Sequence, residues 1–268
     1  MITFSLLLSF ILGAVIGSFL NVVSLRLNTG KGIGGRSACM SCDNQLTWKE
    51  LVPIFSFMVQ KGACKKCKSS ISWQYPLIEG AAGIIFVLIL WVFPPISLQA
   101  AVTTVIHLFA ACVLLVIAAY DARHKIIPDA LVYTFSFLGL LSVFMGSGAS
   151  WFQIPTIWSL LAGPILAFPF AFLWVVSKGT WMGLGDAKLA LGIGWFLGIG
   201  GGINAVTLAF WIAATISVVW LLMTRGSLKP RTEIPFGPYL ILGMYIVLLF
   251  GVQVIDLEAL KFIFSSGV

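Results

Sequence analysis

The chain has 268 residues, 60% of them hydrophobic and 9% charged, with a mean hydropathy of +1.06. This excludes an ordinary water-soluble domain and reads as an all-α polytopic membrane protein. The net charge of +7 follows from where Lys and Arg fall relative to the membrane, so it calls for no nucleic-acid partner.

No charged residue lies within Ala130–Ser177, Leu189–Thr224 or Ile234–Ile255, each long enough for one or two helices of ~20 residues. Divided at Gly, Pro and polar clusters, the chain predicts about eight spans. In order these are Ile2–Leu25, Pro76–Phe93, Leu98–Tyr120, Asp129–Met145, Pro155–Ser177, Gly185–Gly200, Ile203–Met223 and Pro235–Gln253. The first has no basic residue before it and no small-residue cleavage site, so it reads as retained rather than as a signal peptide. Arg26, Lys31 and Arg36 follow it. The positive-inside rule therefore puts the amino terminus outside and Leu27–Tyr75 in the cytoplasm. Of the 16 Lys and Arg, all but Lys261 then fall on that same face. The expected division is residues 1–27 as a first helix, 28–75 as a cytoplasmic metal-binding domain and 76–268 as the remaining membrane domain.

The polar segment from Asn28 to Tyr75 is too small for a large core and needs a staple. Cys39-Met-Ser-Cys42 and Cys64-Lys-Lys-Cys67 supply one, a pair of C-x2-C motifs separated by 21 residues. Each pair places two thiolates on one side of a tetrahedral Zn²⁺. Two disulfides or idle thiols are the alternatives, and a reducing cytoplasm disfavours the first. Lys61, Lys65, Lys66 and Lys68 are placed to offset four thiolates. Gly30-Lys-Gly-Ile-Gly-Gly35 fits G-x-G-x-x-G only formally, because it follows a membrane helix and not a strand, so it reads as a linker.

Farther along, Glu79 lies in the first turns of the second span, where it complements the helix dipole or binds a cationic group. His107 reads as a hydrogen-bonded core residue, Cys112 as packing and His124 as a loop residue. Asp121, in Ala118-Ala-Tyr-Asp-Ala-Arg, ends one apolar run, and Asp186, in Gly183-Leu-Gly-Asp, opens another. Singly, Asp121 reads equally well as a juxtamembrane polar residue and Asp186 as a helix N-cap. Together they stand at the same predicted membrane depth, where a carboxylate costs roughly 2.5–3.5 kcal/mol and is usually functional. Two carboxylates sharing one proton are the means by which aspartic proteases activate water. Gly183 and Gly185 allow close backbone approach beside Asp186. Asp129, after Pro128, reads as the cap of the fourth span. Val254–Ile263 reads as a short amphipathic helix on the outer surface.

These residues also carry a resemblance. Gly17-Ser-Phe-Leu-Asn-Val-Val23, the paired cysteines, Tyr75-Pro-Leu-Ile-Glu79, the D-x6-P-D spacing from Asp121 to Asp129, Gly183-Leu-Gly-Asp-Ala-Lys-Leu189 and Pro235-Phe-Gly-Pro-Tyr239 resemble the bacterial type IV prepilin peptidases. These are bifunctional leader peptidases and N-methyltransferases of the GxGD aspartyl protease group. The resemblance covers nearly the whole chain. It implies that Asp121 and Asp186 are the catalytic pair and that Cys39, Cys42, Cys64 and Cys67 bind zinc. It further implies cleavage of type IV prepilins or pseudopilins after a glycine at the end of a short basic leader, at the cytoplasmic face of the bacterial inner membrane. Methylation of the new amino terminus from S-adenosylmethionine would follow. The first cysteine pair departs from the family in lacking a proline after Cys39, and Gly80-Ala-Ala-Gly83 is smaller than usual. Two alternatives stay open: a peptidase without the methyltransferase, and a small transporter or scaffold with a zinc-stabilised module. Charges at one face and the lack of an inverted repeat count against the second.

Overall fold

The computed structural model describes residues 2–30, 32, 34–146, 150–223 and 234–256. Lys31, Arg225, Lys229, Arg231, Lys261 and most of the tail helix expected at Val254–Ile263 lie outside them. The described residues form helices and isolated bridges but no strand, as expected for an all-α membrane protein. Five helices are long and apolar enough to cross a bilayer, and two more are apolar but shorter. The chain divides into two compact units, Met1–Tyr120 and Asp121–Val268.

In the first unit, α1 (Ile2–Arg26) packs antiparallel on α3 (Gln74–Val92). Small residues set the distance between them. A Cβ on Gly13 would stand 2.6 Å from the Ala82 carbonyl, and one on Gly17 would stand 2.8 Å from the Ala82 side chain. Such close backbone approach replaces the hydrophobic drive that lipid cannot provide. Deeper along the seam, buried Asn21 donates to the carbonyls of Gly17 and Tyr75. Between these helices lie the cysteine module, a 3-10 turn (Trp48–Glu50) and the one-turn helix α2 (Phe55–Val59). Most of α4 (Leu98–His124) completes the unit, its start tied down by Thr104 donating to the Phe93 carbonyl at 2.7 Å.

The second unit contains α5 (Asp129–Phe144), α6 (Ile157–Ser177), α7 (Leu184–Met223) and α8 (Gly237–Phe250). A straight helix of 40 residues would span about 60 Å, twice the hydrocarbon thickness. The chain avoids this by breaking at Gly198, whose φ of 70° and ψ of 179° are non-helical. Contacts along α6 show that the break is a reversal. Before it, Gly194 meets Ala162 and Gly163, and Trp195 reaches back to Leu160; after it, Gly202 meets Leu166 and Phe210 stacks on Phe170. The first half of α7 thus runs antiparallel to α6 and the second half parallel to it. With the halves taken separately and the one-turn α2 set aside, eight helices among the described residues correspond to the eight expected spans, and the turn falls a little earlier than the Gly200–Ile203 gap read from sequence.

Trp195 also solves a problem set by Pro164, which lies inside α6. Proline has no N–H, so the carbonyl four residues earlier, Leu160, loses its helical donor. In a membrane that carbonyl has no water to turn to. Trp195 Nε1 donates to it at 2.9 Å.

Candidate active site and metal centre

Asp121 is in the last turn of α4 and Asp186 in the first turn of α7, and both are buried, 4% and 9% exposed. Asp121 Oδ2 accepts a hydrogen bond from the Gly237 amide at 3.1 Å, at the first residue of α8. Gly237 has to be glycine in this packing, because a Cβ there would lie 2.6 Å from that same oxygen. The Asp186 amide donates to the Gly183 carbonyl at 3.3 Å.

One apolar side chain, Ile127, joins the two neighbourhoods. A Cβ on Gly185 would stand 2.8 Å from Ile127 Cβ, and one on Gly237 would stand 3.3 Å from Ile127 Cδ1. The two aspartates thus flank one apolar side chain. Each sits at the amino-terminal end of a helix, α8 for Asp121 and α7 for Asp186, where partial positive charge counters the cost of two like charges. Sequence reading quoted Pro235-Phe-Gly-Pro-Tyr239 without assigning Gly237 a role. Its position just before a proline at a helix start was the available signal; nothing in the sequence marked Ile127.

Other candidates resolve locally. Asp129 is the first residue of α5, with Pro128 in the capping position, so it is not the cap that its sequence suggested. It pairs instead with Lys188 at 2.6 Å, and the Lys188 ammonium also lies 5.0 Å from the Tyr133 ring centre. His107 Nδ1 is 2.8 Å from the Thr103 carbonyl, and its ring stacks on Phe93, which fits a core histidine. Glu79 takes neither of the roles expected of it: it is buried and accepts the Ile54 amide at 2.7 Å, fastening the cysteine module to α3.

The four cysteines converge. The sulfurs of Cys39, Cys42, Cys64 and Cys67 all lie within 4.8 Å of one another, and Cys39 and Cys67 are 3.8 Å apart. A tetrahedral Zn²⁺ with bonds of about 2.3 Å needs sulfurs about 3.8 Å apart, so the set fits. The two halves are built alike. Cys39 and Cys64 each donate through N–H to the carbonyl five residues on, Asn44 or Ser69, and each accepts from the residue four on, Asp43 or Lys68. Asp43 and Lys68 both adopt positive φ, and the bridges Ala38–Gln45 and Ala63–Ser70 close the two loops at equivalent positions. The knuckle expected at each cysteine pair thus forms twice on one backbone plan, and Ala38 with Ala63 and Trp48 with Trp73 recur at the same offset as the cysteines.

Amides and hydroxyls around the sulfurs favour thiolate. The Ser41 amide, helped by the Ser69 hydroxyl and the Cys42 amide, lowers Cys39 to about 6. The Ser69 hydroxyl and amide lower Cys67. For Cys42 the Asn44 amide acts in the same direction, but burial and the sulfurs of Cys67, Cys39 and Cys64 outweigh it and push the thiol up to about 12. A divalent cation removes that conflict, since it lets all four sulfurs ionise together.

Residues 11–93 match the Bacterial Peptidase A24 N-terminal domain, and residues 108–222 match the Type IV leader peptidase family. The chain is similar to proteins named Prepilin leader peptidase/N-methyltransferase. One, from Stutzerimonas stutzeri, is 30% identical over 92% of this chain and 91% of its own length. Another, from Bacillus subtilis, is 30% identical over 92% and 95%. A third, from Pseudomonas aeruginosa, is 29% identical over 92% and 91%. No solved structure matches. Likeness of this extent, running through both the cysteine module and the helices that carry the two aspartates, means that the chain belongs to the type IV leader peptidase family.

Proposed function

We propose that this protein is an intramembrane aspartyl endopeptidase in which Asp121 and Asp186 cut the leader from type IV prepilins or pseudopilins. The observation that carries the reading is the pair of buried carboxylates at two helix starts, joined through Ile127 and bordered by Gly183, Gly185 and Gly237. The Gly237 amide on Asp121 Oδ2 favours assigning the base to Asp121. Its other oxygen takes a proton from water while protonated Asp186 polarises the scissile carbonyl. The water oxygen then bonds to the carbonyl carbon, the C–N bond breaks, and the proton passes to the leaving amine. The glycines leave room for an extended peptide to reach the pair.

The distribution of Lys and Arg supports a cytoplasmic location for the cysteine module and for the carboxylates, in the bacterial inner membrane. Cys39, Cys42, Cys64 and Cys67 would hold Zn²⁺ in a structural role, because four protein ligands leave no open position for chemistry. The names of the relatives support N-methylation of the new amino terminus, with S-adenosylmethionine supplying the methyl group.

Co-expression with a prepilin tests the pair. Asp121→Asn and Asp186→Asn keep size but not ionisation, so each should insert normally and cut leader removal more than about a thousandfold, with a double variant no worse. Efficient cleavage by either single variant, read from the mass of the pilin amino terminus, would refute the mechanism.

A further inference from the structure

The cysteine module carries large apolar side chains that the rest of the chain leaves uncovered. Trp48, Phe55, Met58, Val59, Trp73 and Leu77 are between 59% (Val59) and 73% (Trp48) exposed. On α2 they form one face. At helical spacing Phe55, Met58 and Val59 share about 100° of surface. Phe57, on the other side, packs against Trp73 at 4.9 Å between ring centres and stands over Gly62.

The depth of this face follows from Glu79. The Ile54 amide just before α2 is bonded to Glu79, which lies five residues into α3, about 7.5 Å along its axis. The start of α2 therefore stands beside the second turn of a membrane-spanning helix. Trp73, exposed at the head of α3, is the kind of residue that marks the headgroup level. Interfacial elements bury to about 5–10 Å, of the same order as this offset along α3. In the same module Lys49, Lys61, Lys65, Lys66 and Lys68 are all exposed, and the Lys49 ammonium is 5.5 Å from the Trp48 ring centre.

We propose that α2 and its flanks lie in the headgroup layer of the bilayer, with an anionic lipid surface as their partner. Phe55, Met58 and Val59 reach the upper acyl chains, and the lysines meet lipid phosphates. The module is then held to the membrane along its own surface as well as through α1 and α3. A lipid partner is favoured over a protein one because the Ile54–Glu79 bond ties the start of α2 to the second turn of a spanning helix, and the module's exposed lysines complement an anionic headgroup layer.

The full chain in nanodiscs tests this. Fluorescence of the unmutated protein minus that of Trp48→Phe isolates Trp48, with quenching by brominated phosphatidylcholine mixed with phosphatidylglycerol set against quenching by aqueous iodide. Brominated lipid should quench Trp48 at least about twofold more than iodide does, and Phe55→Ser with Met58→Ser should reverse that order. A Trp48 signal reached by iodide and not by brominated lipid would overturn the proposal. So would a signal shielded only after a prepilin amino-terminal peptide is added, which would make the face a substrate-docking surface. Hydrogen exchange across residues 51–60 needs no substitution. It should be slower in phosphatidylglycerol-containing nanodiscs than in pure phosphatidylcholine, and equal rates would remove the anionic lipid from the proposal.

Discussion

Gly237 meets Asp121 through its amide, and the absence of a side chain is what makes that contact possible. Gly237→Ala would put a methyl 2.6 Å from Asp121 Oδ2, so either the carboxylate or the start of α8 must move. Leader cleavage should fall about 10- to 100-fold while the protein still inserts, since misplacement of about 1 Å at a reacting group has that cost. Unchanged cleavage by Gly237→Ala would mean that Asp121 does not depend on this amide. Among the thiols, Cys39 is lowered from 9.0 to about 6. A depressed thiol contributes stability that is present above its unfolded value and lost as pH falls through about 6. Zinc, which needs thiolates, should follow the same direction. Dialysis against a chelator should leave about one zinc per chain near pH 7.5 and remove it near pH 5. Retention at the lower pH, or in Cys64→Ser, would count against ligation by these four sulfurs.

At the scale of elements, the reversal inside α7 rests on Gly198. A Cβ there would meet nothing within 4 Å, so any cost of Gly198→Ala is a backbone cost alone. The conformation, φ 70° and ψ 179°, belongs to a region essentially confined to glycine. Replacement should cost about 1–3 kcal/mol, read as a lower Tm in detergent. An unaltered Tm would show that the two halves of α7 do not turn at this residue. The same corner explains why Trp195 is tied to Pro164: one residue removes a donor from α6, and the other, just before the turn, returns it. The α1–α3 seam works by a different device, with Gly13 and Gly17 on one helix and Ala82 and Gly83 on the other bringing backbones together.

At the scale of the molecule, the distribution of charge makes a topological prediction. A reporter fused after Thr29 should be cytoplasmic and one near Gly148 outside, because all Lys and Arg but Lys261 then share the cytoplasmic face. A cytoplasmic reporter at Gly148 would alter the count of spans and the side on which both carboxylates stand. The apolar helices and the cysteine cluster were legible in the sequence for a simple reason. Transfer to lipid penalises charge residue by residue, and C-x2-C is a local spacing, so both leave marks that need no knowledge of packing. Other features came only with the tertiary structure. The Gly237 amide and Asp121 are 116 positions apart in the chain, and Ile54 and Glu79 are 25 apart. Neither bond has a periodic or compositional signature. Asp129 looked like a cap because propensity is local, yet it turned outward to Lys188, a partner supplied by another helix. What the sequence by itself determined is which segments are apolar enough to enter the membrane and which thiols gather. Which atoms meet was decided by close backbone approach at glycines and by the need to satisfy every buried polar group, and those are properties of the packed chain.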